Sequence, residues 1–124
     1  MNSQLEIGIL LEDYLKGLYT GDTALLRTLF HPQATLFGDV RGAPYQNTLD
    51  GWLAAIEQRQ SPRELGEEFR MKTLGIEVIN EIAYARCQCP MLGFNYMDYL
   101  SLLRQGGRWT ITNKLFTHVA EGAA

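Results

Sequence analysis

Apolar residues recur at helical spacing along the first 20 residues of the chain, with a period close to 3.6. The stripe comprises Leu5, Ile9, Leu11, Leu15 and Leu18. Gly21 favours the left-handed conformation that ends helices, and Asp22 directly after it is a good N-cap. The pattern therefore predicts two helices joined by a tight link, the second of them closed by Pro32.

The next stretch carries strand signals followed by helix signals. We expect residues 34–41 to form a small β-hairpin with its turn at Gly38 and Asp39, broken off by Pro44. Thr48 then precedes apolar residues at the i, i+3, i+4 and i+7 positions, which predict a third helix. These residues are Leu49, Trp52, Leu53 and Ile56.

From residue 69 onward the pattern changes to long strands. We predict strands at residues 69–79, 82–90, 95–103 and 108–118, joined by links short enough for an antiparallel meander. Helices followed by a meander predict an α+β fold in which the helices cover one face of the sheet. With 124 residues in total, we expect one domain spanning residues 1–124.

Composition and charge exclude several classes of partner. The chain is 46% hydrophobic and 20% charged, which is typical of a globular protein. Its formal net charge of -3 gives no basic surplus, so we expect neither a nucleic-acid nor a membrane partner. Because the sequence carries no leader-like segment and no apolar run of membrane-spanning length, we expect a cytoplasmic location.

The two cysteines, Cys87 and Cys89, stand two residues apart in a predicted strand. Their side chains would point to the same side of one strand, where a disulfide is geometrically poor. The histidines, His31 and His118, offer no metal-ligand spacing with them. We interpret both cysteines as reduced core residues, and we predict no metal site and no cofactor.

Three segments together resemble a known superfamily. They are YLKGLYTGD and LFHPQA within residues 14–34, NEIAYA at residues 80–85, and DYLSLL, GRWTI and NKLF within residues 98–116. The chain resembles the nuclear transport factor 2-like superfamily, which has the ketosteroid isomerase and polyketide cyclase-like fold. Within it, the resemblance is closest to the branch described as putative lumazine-binding.

The resemblance implies a cone-shaped α+β fold of the cystatin-like kind. Three N-terminal helices would pack on a strongly curved antiparallel sheet that encloses a ligand pocket, and two copies would form a homodimer through the sheet. The superfamily includes isomerases, cyclases, dehydratases and non-catalytic carriers, so the fold by itself does not give the function.

The isomerase-type site uses a tyrosine and a protonated acid to hold an oxyanion, and a carboxylate as the base. The resemblance places Tyr14 at the tyrosine position and Asp98 at the acid position. Gly38 stands where the base is expected, with Asp39 one residue later. A one-residue offset in a strand points a side chain to the opposite face, so only a local bulge would let Asp39 replace the base.

Turn positions give an estimate of the strand register. A last hairpin centred on Gly106 sets Asp98 opposite Lys114, and a preceding hairpin centred near Leu92 sets Arg86 opposite Asp98. The estimate predicts a charged row in which two cations flank Asp98. We therefore predict that Asp98 is ionised, and that it has a structural or ligand-orienting role rather than that of an oxyanion-hole acid.

Candidate site residues come from two helices and from this sheet face. The predicted ligand-binding residues are Tyr14, Trp52, Arg86, Tyr96, Asp98, Lys114, Phe116 and His118. The catalytic residues stay unknown, and the candidates are Tyr14, Asp98 and Asp39. Structural roles remain open: the charged row can be an ion-pair ladder, Tyr14 a core residue and Asp39 a turn residue.

Three functions remain. The first is a homodimeric small-molecule-binding domain with a pocket for a cyclic or aromatic polar ligand. The second is an isomerase, cyclase or dehydratase in which Tyr14 and Asp98 polarise a cyclic carbonyl substrate and Asp39 or His118 moves a proton. The third is a protein-interaction module that uses the exposed sheet face. We favour the first, because the catalytic set lacks its base.

Overall fold

The computed structural model describes residues 2–120, which form three helices on a six-stranded sheet. In chain order these are α1 Ser3–Thr20, α2 Thr23–Leu29, β1 Phe30–Val40, β2 Ala43–Thr48, α3 Leu49–Gln58, β3 Lys72–Ile79, β4 Ile82–Met91, β5 Phe94–Gln105 and β6 Arg108–Val119. The strand order is β2-β1-β6-β5-β4-β3, antiparallel except between β1 and β6. The predicted α+β class is confirmed. Within the described residues, no helix combines the length and apolar character needed to cross a bilayer.

The predicted caps Asp22 and Gly21 are confirmed, and Thr48, which was predicted to precede the third helix, is its N-cap. Asp22 Oδ1 accepts a hydrogen bond from the Leu25 backbone N–H at 3.0 Å, and Thr48 Oγ1 accepts one from Gly51 at 3.1 Å. Each bond satisfies a backbone donor that has no partner within the helix. At the other end of α1, Gly21 has φ 72° and is the left-handed residue that ends the helix.

The predicted turn at Gly38 and Asp39 is wrong. Both residues lie inside β1, which continues to Val40. The turn to β2 is made by Arg41 and Gly42, which have φ 54° and 78°. Gly38 makes no turn. The absence of a side chain lets the Phe116 ring come close to the backbone of β1.

The two prolines do not end the elements that they were predicted to end. The second helix stops at Leu29, and Pro32 already lies in β1, in the irregular stretch between the paired residues Phe30 and Thr35. Pro44 lies within β2, opposite Asp39. Because β2 is an edge strand, the missing backbone donor of Pro44 does not interrupt the sheet.

The meander is confirmed, but its register differs from the estimate. The turns consist of two residues each, residues 80–81, 92–93 and 106–107. The middle turn is therefore centred half a residue later than predicted, and Cys87 rather than Arg86 lies opposite Asp98. In β6 the pairing shifts by one residue at Thr112, because Leu102 pairs with Ile111 and Ser101 with Asn113.

The core lies between the helices and one face of the sheet, which we call the interior face. The helices contribute the buried residues Ile7, Leu11, Leu18, Leu26, Leu53 and Ile56, and the strands contribute Leu36, Ala85, Cys87, Leu100, Leu102 and Ile111. Full burial of one such aliphatic side chain stabilises the fold by about 1.5–3 kcal/mol. This apolar packing surrounds the polar residues described next.

Candidate functional site

Three polar side chains meet in the core, and we call Tyr14, Asp98 and Lys114 the polar cluster. Tyr14 Oη donates a hydrogen bond to Asp98 Oδ2 at 2.6 Å, and Lys114 Nζ lies 3.7 Å from the same oxygen. Cys89 Sγ also donates to this oxygen, at 3.5 Å. Tyr14, Asp98 and Lys114 are 0%, 1% and 5% exposed. Charges this deeply buried need partners, so the cluster acts as one electrostatic unit.

Burial keeps the Tyr14 hydroxyl and the neighbouring thiols of Cys87 and Cys89 protonated. Burial, and after it the Asp98 carboxylate, raises the pKa of Tyr14 well above the ordinary tyrosine value. The same two causes raise the pKa of Cys87 to about 12 and that of Cys89 well above the ordinary thiol value. Both cysteines are free and buried, as predicted for core residues. Residues 2–120 contain no group of three His, Cys, Asp or Glu side chains placed to hold a metal ion.

Aromatic rings surround the ammonium group of Lys114. Nζ lies 4.5 Å from the ring centroid of Trp52, 5.2 Å from that of Phe116 and 5.6 Å from that of Tyr14. Such cation–π contacts stabilise a desolvated ammonium. Lys114 lies opposite Leu100 and reaches Asp98 diagonally, so the predicted direct pairing is off by two residues while the predicted shared face is correct.

A row of facing residues crosses the sheet at the level of Asp98. Its members are Tyr45, Gly38, Phe116, Asp98 and Cys87. The Phe116 ring lies directly against Gly38: a Cβ at that position would be 2.6 Å from ring atom Cε1. Only glycine allows this approach, so the position where the isomerase pattern has its base is covered by the Phe116 ring.

Five half-buried rings extend from this row, and we call them the aromatic cluster. They are Tyr45, Phe94, Tyr96, Phe116 and His118. The ring centroids of Tyr45 and Phe116 are 5.3 Å apart, and those of Tyr96 and Phe116 are 6.0 Å apart. Phe94 contacts Tyr96 at 5.5 Å and His118 at 5.3 Å. Because these rings keep partial solvent exposure, they differ from the fully buried polar cluster behind them.

The predicted charged row is wrong in one member. Arg86 lies opposite Tyr99 on the other side of the sheet, which we call the outer face. Its Nη2 atom lies 3.3 Å from the position that a Cβ on Gly75 would take. A register difference of one residue moves a side chain to the opposite face. Asp98 therefore has Lys114 as its one salt-bridge partner among residues 2–120.

The two proposed proton carriers are engaged elsewhere. Asp39 is exposed, and its Oδ1 accepts a hydrogen bond from the Gly42 backbone at 2.9 Å. Its pairing with β2 is continuous with that of Gly38, so it points away from the interior face. His118 Nε2 accepts a hydrogen bond from the Arg41 backbone at 3.1 Å, which occupies that lone pair.

Sequence reasoning missed Arg59, which caps the C-terminus of α3. It stands three residues beyond Ile56, on the continuation of the buried stripe, and this spacing was an available signal. Its Nε atom is buried and has no hydrogen-bond partner among residues 2–120. Burial lowers the pKa of Arg59, while the neighbouring phenols of Tyr96 and Tyr45 act in the opposite direction.

The outer face carries an apolar groove of about 720 Å³. Phe37, Tyr99 and Leu115 line it and are 39%, 45% and 48% exposed. Met97, Pro44 and Val119 add further apolar surface. Contiguous exposed apolar side chains on a sheet face are typical of an interaction surface.

The three helices on a mostly antiparallel sheet form a nuclear transport factor 2-like fold of the cystatin-like kind. A protein of this kind and of unknown function from Silicibacter pomeroyi DSS-3 matches with a TM-score of 0.79 and 21% identity, over 96% of this chain and 100% of that chain. One from Shewanella baltica OS155 matches with a TM-score of 0.77 and 24% identity, over 98% and 99%. One from Novosphingobium aromaticivorans, described with a cystatin-like fold, has a TM-score of 0.69 and 16% identity, over 98% and 84%.

The family model described as putative lumazine-binding matches residues 2–117, and the chain belongs to this family. The resemblance stated from the sequence is confirmed. A comparison with curated proteins finds no match. At identities below 25%, the solved structures establish the fold alone. The cytoplasmic location and the extent of the domain over residues 1–124 stay predictions.

Proposed function

We propose that this chain is a small-molecule-binding domain whose interior takes a cyclic or aromatic polar ligand. One observation carries the proposal: Phe116 joins the half-buried aromatic cluster to the buried polar cluster. Its ring contacts the rings of Tyr45 and Tyr96, and it also contacts the Lys114 ammonium. A few polar groups behind an aromatic lining are typical of small-molecule sites. The family description supports the same class of ligand.

Each cluster has a separate role in this proposal. A planar ring stacked on Phe116 in an offset arrangement would meet Tyr96 edge to face, because the planes of those two rings differ by 67°, and its edge would be directed at the polar cluster. The Lys114 ammonium carries three N–H donors, and its salt bridge to Asp98 is its one polar contact among residues 2–120. Lys114 can therefore donate to an oxygen or nitrogen atom of the ligand, while Asp98 fixes the position of the ammonium.

The enzyme alternative receives less support. The Tyr14 hydroxyl donates to Asp98, so in this arrangement its hydrogen is not directed toward a substrate carbonyl. Position 38 is covered by the Phe116 ring, and Asp39 lies toward the outer face. A binding site requires none of these groups to move a proton, which is why we prefer binding to turnover.

We expect a member of a panel of flavin-like, steroid and aromatic compounds, with lumazine included, to raise the melting temperature. At a ligand concentration 100 times Kd the stabilisation is about 2.7 kcal/mol, which corresponds to a shift of several degrees. Thermal melts and calorimetric titration measure it. Phe116→Ala should weaken binding by about tenfold or more, since the stacking surface is lost.

The matched control for this experiment is Phe69→Ala. Phe69 is 49% exposed and contacts Tyr19 edge to face, and among residues 2–120 its ring contacts none of the five rings of the aromatic cluster. It should leave the ligand affinity unchanged. Equal loss of affinity in both variants, or no loss in Phe116→Ala, would place the ligand outside the interior and contradict the proposal.

A second copy of the chain is the partner that we propose for the outer face. The groove is lined mainly by apolar side chains, and a two-fold axis would place the same patch of each copy against the other. We expect a dimer in light scattering after size exclusion. Leu115→Lys should give a monomer, because it brings a charge to the centre of the apolar contact.

Leu65→Lys is the matched control for the dimer. Leu65 is 50% exposed, close to the 48% of Leu115, but it lies in the loop between α3 and β3. This variant should remain dimeric. A wild-type chain that stays monomeric at micromolar concentration, or a Leu115→Lys variant that stays dimeric, would rule out this interface. The binding proposal would not be affected.

A further inference from the structure

We propose that the ligand of the interior is an organic acid whose carboxylate binds Arg59. The inference rests on the proposed function. It adds the charge of the ligand and names the residue that binds the charged group. The position of Arg59 is the first argument. Arg59 directly follows the buried stripe of α3, on which Trp52 contacts Lys114, and it is near enough to Tyr96 and Tyr45 of the aromatic cluster to interact with their phenols electrostatically.

The state of the guanidinium is the second argument. It is half-buried, its Nε atom is buried without a hydrogen-bond partner, and no carboxylate lies within salt-bridge distance among residues 2–120. Asp98 does not serve it, because that carboxylate is bound by Tyr14 and Lys114. Burial without a partner is unfavourable for a polar charged group. An incoming carboxylate would supply the missing partner.

The chemistry of arginine and of the neighbouring phenols is the third argument. A guanidinium is planar and binds a carboxylate through two parallel N–H···O bonds. Tyr45 Oη accepts a hydrogen bond from Asn47 Nδ2 at 3.0 Å, which leaves its own hydrogen as a donor. A carboxylate held by Arg59 would therefore find a further donor beside it, and the attached ring would lie over Phe116.

A second cation lies beside the same cluster and is consistent with an acidic ligand. The Arg41 guanidinium lies 4.9 Å from the centroid of the Phe94 ring, and Phe94 in turn contacts Tyr96 and His118. Positive charge around a site raises the local concentration of anions. The carboxylates of Asp39 and Glu67 both accept hydrogen bonds from backbone N–H groups, that of Gly42 at 2.9 Å and that of Leu92 at 3.0 Å.

The test compares two probes that differ in charge and hardly in shape, 2-naphthoate and 2-naphthamide. Calorimetric titration of the wild type should give an affinity about 10- to 100-fold higher for the acid, since hydrogen bonds to a charged group are the stronger kind. In Arg59→Gln the two probes should bind alike, at the affinity of the amide. Arg63→Gln, an exposed arginine four residues away, should keep the full preference for the acid.

The outcomes separate the inference from the proposed function. If both probes bind the wild type equally, or if the preference survives in Arg59→Gln, the inference is wrong while the binding proposal stands. If neither probe binds, both are contradicted for ligands of this size. Loss of the preference in Arg59→Gln alone supports both.

A second measurement needs no ligand. Arg59→Met keeps the length of the side chain and removes the unpaired charge, so the melting temperature of the free protein should stay the same or rise. A binding residue that costs stability is expected to behave in this way. A melting temperature lowered by several degrees would assign Arg59 a structural role and overturn the inference.

Discussion

Asp98→Leu is expected to lower the free energy of unfolding by about 3–5 kcal/mol, the loss typical when one partner of a buried ion pair is removed. The reason is local. Lys114 is 5% exposed, so its ammonium would be left in the core with aromatic rings and no carboxylate. The Tyr14 hydroxyl would also lose its acceptor. Urea unfolding followed by circular dichroism measures the change.

The control for this prediction removes both charges. Replacing a buried ion pair by apolar residues of similar size is often neutral or stabilising. Asp98→Leu combined with Lys114→Met should therefore recover part of the loss, leaving a destabilisation of about 1–3 kcal/mol from the unpaired Tyr14 hydroxyl. Adding Tyr14→Phe should remove that remainder. A single variant as stable as the wild type would contradict the description of the polar cluster as one unit.

Recovery of stability by an apolar triple variant would also bear on function. Leucine, methionine and phenylalanine at these three positions would then stabilise the fold about as well as the polar cluster does. Its retention in the core would be explained by the ligand, since Lys114 held by Asp98 presents N–H donors beside the aromatic cluster. The triple variant should accordingly fold and fail to bind the ligands found for the wild type.

How far the site could be predicted depended on the size of each register error. The estimate for β5 and β6 was wrong by two residues, because the turn and the shift at Thr112 each moved the register in the same direction. An even error leaves every side chain on its face, so Asp98 and Lys114 still meet. The error for β4 and β5 was a single residue, and it moved Arg86 to the outer face.

Local signals were sufficient for the helices and insufficient for the first strand. Asp22, Thr48 and Gly21 act within a few residues of their own position. The helix ends that they mark could therefore be predicted from the sequence. The parallel pairing of β1 with β6 joins residues about 80 apart, as in the pair Leu36 and Lys114, and no local pattern reveals it. Gly38 was therefore assigned to a turn, when its function is to admit the Phe116 ring.

Gly38→Ala is expected to lower the free energy of unfolding by about 1–3 kcal/mol, the usual cost of overpacking. The added methyl would lie within 2.7 Å of three Phe116 ring atoms. The ring cannot give way freely, because Tyr45 and Tyr96 contact it at 5.3 and 6.0 Å. Urea unfolding measures the loss. Gly8→Ala is the control: nothing lies within 4 Å of its added methyl, so it should stabilise α1 by about 0.5–1 kcal/mol.

A double-mutant cycle identifies the contact responsible. In a chain that already carries Phe116→Ala, the added methyl has room and Gly38→Ala should cost almost nothing, which gives a coupling energy of about 1 kcal/mol or more. Gly38→Asp should be worse than Gly38→Ala in the otherwise wild-type chain, because the carboxylate would be desolvated as well. If Gly38→Asp instead has wild-type stability, the ring moves at little cost and the interior has room for a base. That result would favour the isomerase alternative over the binding proposal, because the interior would then have room for the missing carboxylate base at position 38.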